Sequence, residues 1–166
     1  MYSKLKLFGH PIHPMLVSFP IAAYTGTLAG YCIYAVTGGA FWLKLAIALN
    51  VVGVGMAVLA ALPGFVDWAF GIPRGTGAKK DGMKHGLLNV VSLGLFAVTL
   101  GIYAGHWNGP APTATVGIVL GAIGWLCTLA AGWYGWMLVQ GWHVGVDLKG
   151  EQAQYDPTLQ EYRRAS

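Results

Sequence analysis

Charge is what this sequence lacks. Only 10% of its 166 residues are Asp, Glu, Lys or Arg, against about 25% in an ordinary soluble domain. So few charges cannot clothe a soluble surface of this size. With 55% hydrophobic residues and a mean hydropathy of +0.56, the chain reads as a membrane protein. Cysteine is scarce too. Cys32 and Cys127 each stand alone in an apolar run, and there is no CxxC, which excludes a disulfide framework or a thiolate metal cluster. There is no phosphate loop and no nucleophile–base arrangement, so no catalytic residue is assigned. There is also no basic patch of the kind nucleic acid requires.

Glycine, by contrast, is plentiful at 25 residues. In lipid, helices associate by close packing, and small residues permit it. Gly26/Gly30, Gly101/Gly105 and Gly117/Gly121 are each four apart on apolar segments, as a tight bundle needs.

A spanning helix takes about 20 mostly apolar residues. Met15–Val36, Leu45–Val66, Gly86–Gly105 and Thr113–Trp142 are free of charge, and short connections join them. The expected fold is all-α: an integral membrane four-helix up-down bundle over residues 1–146. A polar cytoplasmic tail follows over 147–166. The first apolar stretch exceeds a signal-peptide core and no convincing cleavage motif follows it, so it is read as an uncleaved span.

Nine of the ten basic residues fall on one side of these spans. Lys4 and Lys6 precede the first. Arg74, Lys79, Lys80 and Lys84 lie between the second and third. Lys149, Arg163 and Arg164 follow the fourth. Lys44 alone falls on the other side. The excess of Lys and Arg places both termini in the cytoplasm.

The histidines share that side. His10 and His13 stand in GHPIHP directly before span one, His85 opens span three, and His143 follows span four. His106 lies alone at the other end and reads as interfacial. Pro11 and Pro14 preset the backbone around His13. Asn89 and Ser92 extend a polar stripe from His85. Asp67 ends span two after Pro63-Gly64, a kink that would turn it inward. Ionisable groups at membrane depth face a cavity or one another. His10, His13, His85 and His143 are therefore the candidate cofactor ligands, with Asp67 and Asn89 as groups that orient them. Two facing imidazoles can hold the iron of a b-type haem. His13, His85 and His143 together could instead hold a non-haem iron, zinc or copper ion.

The segments GHPIHPMLVSFPIA, LPGFVDW, IPRGT, KHGLLNV and GWYGWMLVQGWHVGV resemble a family of small bacterial tetraspan predicted membrane proteins. That family is catalogued as a domain of unknown function (type 2231) and is sometimes linked to Rieske iron–sulfur domains. The resemblance runs from Gly9 to Val146 and covers His10, His13, Asp67, His85, Asn89 and His143. It implies a tetraspan fold, a bacterial inner (cytoplasmic) membrane and redox work. Trp136 and Met137 depart from it, because relatives commonly carry a polar residue or glycine there.

Three functions are compatible with this reading. The first is a haem protein transferring electrons at the cytoplasmic face, with a redox partner. The second is a non-haem metal-binding protein. The third is a structural subunit of a larger respiratory or photosynthetic complex. Transport is disfavoured, since no ionisable chain crosses the bilayer centre and no inverted repeat is evident.

Overall fold

The computed structural model describes residues 3–146. The expected polar tail, with Lys149, Arg163 and Arg164, lies outside the described residues. The chain begins with a small hairpin that the sequence reading did not contain. Strand β1 (Lys6–Leu7) pairs antiparallel with β2 (His10–Pro11). Phe8 and Gly9 both have positive φ, the requirement of a tight two-residue hairpin turn.

Five helices follow: α1 (Ile12–Leu16), α2 (Ser18–Thr37), α3 (Ala40–Val66), α4 (Gly77–Tyr103) and α5 (Thr115–Trp136). Pro20 has no N–H to offer the Leu16 carbonyl, and Val17 separates α1 from α2 there. α3 and α5 each end in one π-helical turn, Asp67–Gly71 and Met137–Gly141. Gly38 closes α2 with a left-handed φ of 65°, a cap that glycine provides without strain. Four stretches are long and apolar enough to cross a membrane: Ile12–Thr37, Ala40–Gly71, Gly77–His106 and Thr115–Gly141. The four spans expected from the sequence are all present.

The largest boundary difference is at α4, which starts nine residues before Gly86. Lys79, Lys80 and Lys84 are good helix formers, and the Thr76 hydroxyl caps the helix by accepting from the Lys79 N–H at 3.2 Å. The helix thus runs about two turns beyond its apolar part, and His85 lies inside it.

α2 packs on α3 and α5, and α4 packs on the same two. α2 and α4 are therefore diagonal, and they meet along the bundle axis through large rings. Tyr24 stacks on Phe96 with centroids 3.7 Å apart and planes 1° from parallel. Tyr31 meets Tyr103 at 4.6 Å. α3 and α5 supply the small residues that make room. A Cβ on Gly53 would fall 2.7 Å from the Tyr24 ring, and one on Gly124 2.9 Å from the Phe96 ring. Gly30 and Gly117 are pressed somewhat less tightly, with a Cβ falling 3.0 Å from Ala46 and 3.1 Å from Tyr31. Two of the three glycine pairs therefore serve packing. Around Gly101 and Gly105 there is open space.

These contacts reveal a repeat. Each ring on the axis meets its counterpart at an offset of 72 positions: 24 with 96, 31 with 103. The glycines beneath them, 53 and 124, are offset by 71. The bundle is two helical hairpins, α1–α3 and α4–α5, related by an approximate two-fold axis along its length. The repeat is parallel, since both hairpins begin at the same end.

The outer faces carry exposed Phe19, Val52, Leu62, Val90, Val119 and Leu126, as lipid contact demands. Some interior hydroxyls bond internally, while the Tyr24 and Tyr31 hydroxyls are buried without a hydrogen-bond partner among the described residues. Ser92 and Thr128 hydroxyls lie 2.8 Å apart, and the Thr27 and Thr99 hydroxyls donate one turn back to Ala23 and Leu95 at 2.8 Å each.

Candidate functional site: a histidine pair on the bundle axis

The two-fold relation extends to the histidines. His13, the second residue of α1, and His85, inside α4, are again 72 apart in sequence. Their rings face each other across the axis at 6.0 Å between centroids, with planes at 90°. Each is anchored identically on the outer helix of its own hairpin. His13 Nδ1 lies 2.8 Å from the Ala60 carbonyl on α3, and His85 Nδ1 2.8 Å from the Ala131 carbonyl on α5. A carbonyl only accepts, so both Nδ1 atoms carry the proton and donate it. The Nε2 lone pairs are left as acceptors, the tautomer that ligates metals through Nε2.

One turn beyond each carbonyl stands a glycine against the ring. A Cβ on Gly64 would lie 2.7 Å from His13 Nδ1, and one on Gly135 3.1 Å from His85 Cε1. A side chain at Gly64 would force His13 to move, and one at Gly135 would press His85 less severely. The Pro63-Gly64 dipeptide thus seats His13, with Pro63 inside a helix that continues to Val66.

The pair is not fully symmetric. The Asn89 amide donates to His85 Nε2 at 3.2 Å and to the His85 carbonyl at 2.9 Å. The corresponding position in the first hairpin is Val17, which can donate nothing from its side chain. Asn89 is therefore placed as expected, beside His85.

The other expected residues sit at the same end in different roles. Asp67 opens the π-helical turn of α3 and binds the N-terminal segment. Its carboxylate accepts from the Ser3 hydroxyl at 2.7 Å and from the Lys4 and Leu5 N–H groups at 2.6 and 3.3 Å. Lys79 caps the far end of that turn, donating to the Trp68, Ala69 and Ile72 carbonyls. His10 lies on β2, exposed, with Nδ1 3.0 Å from the Phe8 carbonyl in its own hairpin. His143 is half-buried just after the second π-helical turn, with a φ of 51°. Its segment lies near the hairpin, where a Cβ on Gly145 would approach Pro11 to 3.9 Å. Among the described residues no three His, Cys, Asp or Glu side chains gather closely enough to hold a metal ion. The set His13, His85 and His143 does not form such a group.

Charge-assisted bonds to a carboxylate contribute about 1.5–3 kcal/mol each. Asp67→Ala should therefore release the segment that includes Ser3, Lys4 and Leu5. The expected result is faster tryptic cleavage after Lys4 and Lys6, with the bundle intact by circular dichroism. Unchanged cleavage would show that the segment is held elsewhere.

The parallel repeat is the feature that sequence reading missed. Its signal is an offset of 72 at which His, Leu, Thr, Leu and Tyr coincide (13/85, 16/88, 27/99, 28/100, 31/103). No curated protein and no solved structure matches the chain. The family model described as predicted membrane protein (DUF2231) matches residues 9–148, a stretch that includes all four spans and both axial histidines. The chain belongs to that family of predicted membrane proteins.

Proposed function

We propose that the His13–His85 pair ligates the iron of a b-type haem and that the protein transfers electrons in the membrane. The observation that carries this reading is the matched anchoring of the two rings, each Nδ1–H fixed on a backbone carbonyl at 2.8 Å. The donor count favours haem over a bare ion. A non-haem iron or zinc site takes three or four protein ligands. A haem iron takes two, because the macrocycle supplies the other four nitrogens. His13 and His85, with ring centroids 6.0 Å apart, would be the residues that hold it.

When bound, the haem supplies one-electron exchange at iron. The chain's own residues hold and tune it. Ala60 and Ala131 fix the imidazole tautomers through their carbonyls. Gly64 and Gly135 keep the rings seated. Asn89, bonded to the His85 carbonyl at 2.9 Å, would stand beside the ligating nitrogen.

The test is a visible absorption spectrum of protein purified from cells rich in haem, with metal analysis of the same sample. A Soret band with about one haem per chain is expected. A colourless protein free of iron would sink the reading. One bound copper without a Soret band would replace haem by a two-coordinate soft ion, which two imidazoles also suit.

The same reading sets the orientation. With the basic excess on the histidine side, that end faces the cytoplasm of a bacterial inner membrane. Reporter fusions at Ser166 and in the loop between His106 and Pro112 should report opposite compartments, with the loop outside. A cytoplasmic signal from the loop would reverse the assignment.

A further inference from the structure

The two-fold repeat fails at the end of the bundle far from the histidines, and the failure makes a cavity. Between equivalent points, Tyr31 to Leu43 and Tyr103 to Ala114, the two hairpins have almost the same number of residues. In the first hairpin these residues stay helical and only Gly38 and Gly39 turn. In the second they unwind after Ala104–His106, because Gly105, Gly109, Pro110 and Pro112 do not sustain a helix. The α2–α3 tip therefore projects past the shorter α4–α5 tip. The unwound loop folds against its flank.

Three bonds hold that loop. Tyr34 Oη donates to the Pro112 carbonyl at 2.7 Å, Tyr103 Oη to that of Thr113 at 2.7 Å, and His106 Nδ1 to that of Pro110 at 2.7 Å. The step between tip and loop forms a half-open cavity of about 320 Å³ lined by Tyr34, Lys44, His106, Trp107 and Asn108 among others. Lys44 brings the positive charge, with Nζ 5.7 Å from the Trp107 ring centre. Neither chain segment at this end, 37–44 or 104–114, contains an Asp or Glu. Among the described residues Lys44 forms no ion pair.

We propose that this cavity binds a phosphate group bearing a hydroxylated substituent, of the glycerol phosphate type. Lys44 supplies charge to the phosphate, and Asn108 supplies an amide that donates and accepts. His106 commits its Nδ1 proton to Pro110, which leaves Nε2 as an acceptor for a ligand hydroxyl. Trp42 and Trp107 mark this level as a membrane–water boundary, where such groups occur as lipid headgroups.

The full chain, delipidated in detergent, is titrated with short-chain phosphatidylglycerol, with phosphatidylcholine of the same chains, and with glycerol phosphate, read by native mass spectrometry. One equivalent of phosphatidylglycerol should be retained in preference to phosphatidylcholine. Lys44→Gln should weaken it about fivefold or more, and Lys44→Arg should preserve it. Asn108→Leu, a change on an exposed loop, gives an independent loss if Lys44→Gln impairs folding. Binding of glycerol phosphate with the same Lys44 dependence would support the site with a soluble ligand as its source. Failure of both phosphates to bind, equal retention of phosphatidylcholine, or binding indifferent to Lys44 and Asn108 would overturn the proposal.

Discussion

His13→Ala and His85→Ala should each bring bound haem close to zero, while His10→Ala leaves the Soret band near its native height. The asymmetry between these results follows from position. His13 and His85 face each other across the axis at 6.0 Å, and neither has a substitute within its own hairpin. His10 is exposed and engaged with Phe8 in the surface turn. Gly64→Ala gives an intermediate case. The added methyl would lie 2.7 Å from His13 Nδ1, closer than atoms tolerate, so the ring must leave the Ala60 carbonyl. With that bond would go the control of the tautomer that leaves Nε2 free to ligate on the haem proposal. Loss of an orienting partner typically costs about 10–100-fold in metal affinity, and haem content should fall accordingly. Retention of full haem by both axial variants would remove the pair from the site. Loss in His10→Ala would move the site to the hairpin.

The second large effect concerns the ring stack at mid-bundle. Gly53→Val and Gly124→Val should each destabilise the fold by about 1–3 kcal/mol, measured by denaturant or thermal unfolding in detergent. Both intrude on the same Tyr24–Phe96 stack, from opposite sides, at 2.7 and 2.9 Å. Once one valine has parted the rings, the second finds less left to disturb. The double variant should therefore lose less than the sum. Gly55→Ala is the control. Nothing lies within 4 Å of its Cβ position, and alanine in a helix is favoured over glycine by about 0.5–1 kcal/mol, so this change should stabilise. Native stability in both valine variants would contradict the packing described for the axis.

The four spans were legible because charge-free runs of spanning length leave the chain little alternative in lipid. The gathering of His13 and His85 at one end was legible for a related reason: an even number of crossings returns the chain to the same side. What span counting could not give was which histidines meet. That depends on the rotation of each helix about its own axis, and rotation is set by where glycine permits a ring to approach. His10 on β2 and His143 after the second π-helical turn share the end but lie outside the helical register. Asp67 was expected beside the imidazoles. The π-helical turn that it opens directs it to Ser3 and the Lys4 N–H instead. The repeat stayed hidden because lipid-facing positions accept any aliphatic residue. Only the few axial positions retain their identity at the 72-residue offset.

The duplicated architecture has a consequence for assembly. Each hairpin carries one histidine, its carbonyl anchor and its glycine seat, and closes most of its contacts within itself. A hairpin can enter the bilayer as its own unit, with the short segment 72–76 joining it to the next. The opposed imidazoles come into being only when the second unit docks on the first, the last event of folding in a membrane. A half-made or truncated chain then has one imidazole and no partner for it. Haem capture would follow completion of the bundle and could not precede it, so the colour of the protein would serve as a readout of finished biogenesis.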